Sequence, residues 1–85
     1  MEAKRIKKYV QVTADFFTDG RLRPLLITWE DGRKFRIDKI KDIRRAASLK
    51  AGGTGIRYTC LIWGKECYLF YEENYKWFVE EKVAA

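Results

Sequence analysis

The chain has 85 residues, 47% hydrophobic and 15% aromatic, with 18 Lys and Arg against 12 Asp and Glu and no histidine. That length accommodates one domain over residues 1–85 with a modest core, since a chain this short buries only about 60% of its extended surface. Without histidine, Ser-His and Cys-His catalysis and histidine-ligated zinc or haem are excluded; Cys60 and Cys67 alone cannot complete a four-thiolate site and are not spaced as a CxxC pair.

In chain order, Ile6 to Ala14 alternates, placing Lys8, Val10, Val12 and Ala14 on one face and Tyr9, Gln11 and Thr13 on the other. Phe16 and Phe17 lead into a loop punctuated by Asp19-Gly20 and Pro24. Leu25, Ile27 and Trp29 alternate before Asp31-Gly32, and Arg33 to Ile37 follows as the next strand. A three-residue loop, Glu30 to Gly32 with Gly32 left-handed, pairs Ile27 with Phe35 and Leu25 with Ile37. It thereby gathers five apolar residues on one face. A two-residue Asp31-Gly32 turn would instead oppose Trp29 and Lys34.

Ile37, Ile40, Ile43 and Ala47 recur at helical spacing, so 38–50 has room for one short helix. The preceding alternation favours a strand instead, bent by a bulge near Asp38-Lys39 that returns Ile40 to the core. Ala51 to Gly55 reads as a flexible loop at about 50–55 with glycines supplying positive φ. Its GxxG spacing formally matches a KH loop, but β-like residues follow at once where a helix would be needed. Arg57 to Trp63 meets Glu66 to Glu72 through a type II′ turn at Gly64-Lys65. That register puts Tyr58, Cys60, Ile62, Cys67, Leu69 and Tyr71 on one face, and Leu61, Trp63, Tyr68 and Phe70 on the other. It opposes Cys60 to Leu69 and Cys67 to Ile62, against a disulfide. Tyr75 to Glu81 forms the last strand and 82–85 a short tail. The fold class expected is all-β or mostly β: a small antiparallel barrel or strongly coiled sheet of five to six strands, SH3-like or OB-like.

Within this pattern, Trp29, the strand Gly32-Arg33-Lys34-Phe35-Arg36-Ile37 and the segment Trp77-Phe78-Val79 form a recognisable set. The chain resembles, over most of residues 24 to 81, a group of short conserved proteins of Gram-positive bacteria classed as a domain of unknown function. The resemblance implies a bacterial cytoplasmic β domain and brings no activity or site residues.

Charge is unevenly spread: residues 1–57 carry a net +8 and residues 58–85 a net −2. The densest cations lie at Lys34, Arg36, Lys39, Lys41, Arg44 and Arg45, with Tyr9, Tyr58, Tyr68 and Trp77 as possible stacking platforms. Positive charge to neutralise phosphates, with flat side chains to stack on bases, is what binding of RNA or single-stranded DNA requires. In a small β domain most aromatics are core, however, and basic surfaces often serve solubility alone. A protein-interaction or self-associating module is the competing reading, with Tyr58, Trp63, Tyr71 and Trp77 as interface residues. The adjacent carboxylates Glu72-Glu73 and Glu80-Glu81 alternate across a strand and read as solvated charge, so no enzyme is expected. Neither cofactor nor metal is expected, the partner being nucleic acid, an acidic protein or a second copy. No apolar run reaches bilayer length, and the basic N-terminus enters an alternating segment rather than an export core. With two free thiols, this points to the cytoplasm.

Overall fold

A computed structural model describes residues 4–47 and 54–83. The chain forms seven antiparallel strands and, among the described residues, no helix: β1 (Lys4–Phe16), β2 (Leu22–Thr28), β3 (Lys34–Arg36), β4 (Lys39–Ala47), β5 (Thr54–Ile62), β6 (Lys65–Glu72) and β7 (Trp77–Val83). They make one sheet in the order β3-β2-β1-β7-β6-β5-β4. The outermost strands β3 and β4 are consecutive in the chain, separated only by Ile37 and Asp38. The sheet therefore has to curl until its edges meet. At that corner the Ile37 N–H donates to the Leu25 carbonyl at 2.9 Å, while the Asp38 N–H donates to the Leu61 carbonyl at 2.8 Å. Strand β1 serves both halves of the curl, pairing with β7 over Lys4–Val10 and with β2 over Gln11–Phe16. The expected barrel or coiled sheet is thus observed, its bent strand dividing into β3 and β4 to give seven strands.

Three hairpins share one loop geometry. In Phe17–Arg21, Trp29–Arg33 and Glu72–Lys76 the first N–H donates to the last carbonyl, and the fourth N–H donates back to the first carbonyl. The fourth residue is left-handed: Gly20 at φ 92°, Gly32 at φ 89° and Tyr75 at φ 68°. The second loop fixes the expected Ile27–Phe35 register. One expected core residue moves out, because a bulge between Thr13 and Ala14 pairs Ala14 with Pro24. Leu22 and buried Pro24 then face the interior in place of Leu25. Proline suits this site because an irregular ladder does not require its missing N–H.

Segment 39–47 is a strand, with its bulge between Ile40 and Asp42 rather than at Asp38-Lys39. Ile40 reaches the core and opposes Cys60. Of the glycine loop expected at 50–55, residues 48–53 lie outside the described residues, as do 84–85 of the tail. Gly55 is not a loop residue. It is buried in β5 opposite Glu72, where a Cβ would stand 2.2 Å from the Tyr71 carbonyl oxygen. The β5–β6 register also differs from the expected one. The turn is Trp63-Gly64, both left-handed (φ 51° and 76°), so Ile62 opposes Lys65 and Cys60 directly opposes Cys67. Two positive φ values match the twist of the flanking strands, as in a type I′ turn. The shift is two residues, so the faces are preserved, and both cysteines are free thiols.

The core fills the inside of the curl, with Ile27, Tyr58, Cys60, Leu69 and Trp77 buried and Val10, Val12, Phe35 and Ile40 packed against them. A second cluster lies on the outer surface. Phe70 and Phe78 stack at 4.8 Å and are almost fully covered. The cover is provided by Tyr9, edge-on to Phe78, and by the Lys7 ammonium 5.0 Å above the same ring. Lys7 then reaches Glu72 at 2.6 Å, and the Tyr9 hydroxyl donates to the same carboxylate at 2.7 Å. Glu72, expected to be solvated, is therefore buried, because two donors from β1 close over it. Its pKa is lowered, chiefly by the Lys7 hydrogen bond, and that of Lys7 is raised by the same interaction.

Candidate functional site

The corner at Ile37-Asp38 gathers features that the sequence keeps apart. Trp63, the first residue of the β5–β6 turn, has 75% of its surface exposed. Its backbone is left-handed, a region costing roughly 1–2 kcal/mol for an L-residue other than glycine or asparagine. The corner holds it from two sides. The Asp38 carboxylate accepts the Trp63 N–H at 3.1 Å, and the Phe35 ring meets the indole edge-on at 5.5 Å. The ring is thus large, exposed and in a strained position where asparagine or glycine would sit more easily.

Cations lie on the strands that form this corner. Phe35 points inward, so its neighbours Lys34 and Arg36 point outward and are exposed. Lys39 follows Asp38 directly and opposes Leu61, two residues before Trp63. Among the described residues Lys34, Arg36 and Lys39 have no carboxylate partner. The other expected cations are arranged differently. Lys41 reaches across β5 to Glu66 at 2.7 Å, and Arg44 pairs with Asp42 at 2.6 Å, lowering the Asp42 pKa. Arg45 opposes Ile56 and so faces the inner side of the sheet, away from Arg44. The six residues are therefore not one patch: Lys34, Arg36 and Lys39 flank the Ile37-Asp38 corner without carboxylate partners among the described residues, two are paired with carboxylates, and one faces inward.

The aromatic expectations divide as sharply. Tyr58 and Trp77 are core residues, 2% and 8% exposed, and offer no surface to a base or a protein partner. Burial follows from their rows, because Tyr58 opposes Leu69 and Trp77 opposes Tyr71 on the inner face. Tyr71 is half-buried against Trp77 at 4.5 Å, which leaves Trp63 alone of the four as an exposed ring. Tyr9 and Tyr68 are exposed on the outer face, but each is engaged by a cation, Lys76 over Tyr9 and Arg57 over Tyr68. Asp38 is the site residue that sequence reading passed over. Its only signal is position, at the break between two alternating runs.

A second feature is an open seam. Leu22 to Pro24 of β2 extend past the short β3, and no described strand pairs with the outer edge of β4. Between them lies a cleft of about 1220 Å³, whose lining includes Arg23, Lys39, Ile40 and Ile43 together with the carboxylates of Asp38 and Asp42. The Tyr58 hydroxyl spans it, donating to the Leu22 carbonyl at 3.3 Å.

The thiols are not poised for chemistry. Burial pushes the Cys60 thiol up to about 12 and raises that of Cys67 as well. Among the described residues no group of three potential ligands could hold a metal ion, and no helix is long and apolar enough to cross a membrane. No family model, curated protein or solved structure matches the chain.

Proposed function

We propose that this chain is a non-catalytic binding module for single-stranded RNA or DNA, stacking a base on Trp63 and neutralising phosphates with Lys34, Arg36 and Lys39. The observation that carries the reading is the strained, exposed indole held by Asp38 and Phe35 at a corner whose strands carry Lys34, Arg36 and Lys39. Stacking is tolerant of sequence because every base presents a π-face, so a single platform with flanking cations suits a module without base-edge readout. An aromatic dimer interface is less well supported, since two of its four expected residues are buried.

The test is a fluorescence-anisotropy titration with short labelled mixed-sequence RNA at low and physiological salt. Micromolar binding that weakens steeply with salt is expected. Replacing Lys34, Arg36 and Lys39 together with alanine should reduce the log–log salt slope by up to about 2, at ~0.7 for each single-strand phosphate that is no longer neutralised. Absence of binding at low salt, or a slope unchanged in the triple variant, overturns the reading.

A further inference from the structure

We infer that the seam between β2 and β4 is a strand-addition site for an extended acidic peptide whose alternate residues are apolar. The cleft exceeds the ~300–1,000 Å³ of small-molecule pockets, and its sides are backbone edges rather than a closed wall. The outer edge of β4 is a row of backbone N–H and C=O groups without a partner strand among the described residues, and Leu22–Pro24 of β2 lie across the gap. An edge of this kind pairs with an added strand unless something blocks it.

The side chains define the occupant. Successive residues of an inserted strand point alternately inward and outward. Inward positions would meet Ile40 and Ile43, and Ile43 is 55% exposed at the inner lip with Phe17 opposite at 44%. Outward positions would lie between Arg23 and Lys39, neither of which has a carboxylate partner among the described residues, whereas the lining carboxylates are engaged, Asp42 by Arg44 and Asp38 by the Trp63 N–H. Apolar residues inward and carboxylates outward complete both sets. A second copy pairing through its own β4 is disfavoured: Lys39–Ala47 holds four cations and one carboxylate, so antiparallel self-pairing brings like charges together. This site shares Lys39 with the proposed nucleic-acid surface but does not include Trp63, and it stands whether or not that platform binds nucleic acid.

The test uses the intact chain and a fluorescein-labelled decapeptide of alternating glutamate and valine, with alternating lysine and valine as the control. Hydrogen exchange reports where the peptide binds. Saturable binding is expected for the acidic peptide only, with β4 amides exchanging about tenfold or more slowly in the complex. Ile43→Asp and Arg23→Glu, both at exposed positions, should each weaken binding about tenfold or more, the first by removing apolar surface and the second by repulsion. Trp63→Ala should leave peptide binding unchanged while weakening RNA binding roughly 5-fold or more. Equal affinity for the lysine peptide, protection elsewhere than β4, or no saturable binding overturns the inference. So does displacement of the peptide by an RNA that itself protects β4, which would give the seam to nucleic acid.

Discussion

Replacing Trp63 with asparagine should separate stability from binding. The left-handed backbone at this position (φ 51°) costs tryptophan roughly 1–2 kcal/mol, most of which asparagine recovers. Against that gain, about a quarter of the indole is covered, on the order of 60 Å² or ~1.5 kcal/mol at ~25 cal/mol per Å². The edge-on packing with Phe35 adds ~0.5–1 kcal/mol. The terms nearly offset, leaving a net loss of about 1 kcal/mol and a Tm shift of no more than ~8 °C. Binding responds on another scale, because a stacking platform is worth ~1–3 kcal/mol per base, or roughly 5–150-fold in Kd. Thermal unfolding and RNA anisotropy on the same preparation measure both quantities. A large Tm drop with affinity unchanged within twofold would show that Trp63 is retained for packing, and would falsify the proposed role. Tyr75→Gly supplies the control: it relieves similar strain at the opposite end of β6 and should leave RNA affinity unaltered.

Gly55→Ala should destabilise the chain by ~1–3 kcal/mol or more, read as a fall in Tm of about 10 °C, since the new Cβ meets backbone rather than a flexible side chain. A change below ~0.5 kcal/mol would show that β5 and β6 can part without penalty. The Glu72 site should give stability an acid limb. Its depressed pKa makes the contribution full above the ordinary carboxylate range and lost as pH falls through the folded value, so Glu72→Gln should flatten Tm against pH below neutrality. Lys7 acts at the other end, contributing fully below the ordinary lysine range and losing that contribution as pH rises through its elevated folded value. An acid limb identical in Glu72→Gln would place the acid sensitivity elsewhere. Cys60, with its thiol pushed up to about 12, should resist alkylation at pH 8 until the chain is unfolded; rapid labelling of the native protein, located by peptide mass, would contradict its burial.

How far the sequence foretold this molecule depended on whether the deciding interaction was local. The Ile27–Phe35 register followed from one glycine and an alternating pattern, both visible within ten residues. The strand character of 39–47 followed from continued alternation, but its bulge came later because β5 sets where Ile40 has to sit. The turn at Trp63-Gly64 escaped local reading. Turn chemistry prefers glycine first or asparagine before glycine, and a tryptophan there is accompanied only by Asp38 and Phe35, more than twenty residues away in the chain. Burial of Glu72 was hidden for the same reason, its partners Lys7 and Tyr9 lying more than sixty residues earlier. The basic cluster showed the converse limit. Proximity in sequence suggested one patch, but strand alternation and the bulge divided Arg44 from Arg45 and brought Lys41 to Glu66.

Asp38 provides the sharpest discrimination, because its two effects on nucleic-acid binding have opposite signs. As a negative charge near Lys39, it should repel phosphate, so neutralising it should tighten binding. As the acceptor of the Trp63 N–H at 3.1 Å, it holds the platform, so removing it should weaken binding. Asp38→Asn removes the charge and keeps an acceptor oxygen, whereas Asp38→Ala removes both. The hydrogen bond is exposed, and its removal should cost no more than about 1 kcal/mol of stability. If Asp38 positions Trp63, Asp38→Ala binds RNA more weakly than wild type while Asp38→Asn binds as tightly or more so. If both variants bind more tightly by the same factor, Asp38 acts through charge alone, and the indole needs no support from the corner where the sheet edges meet.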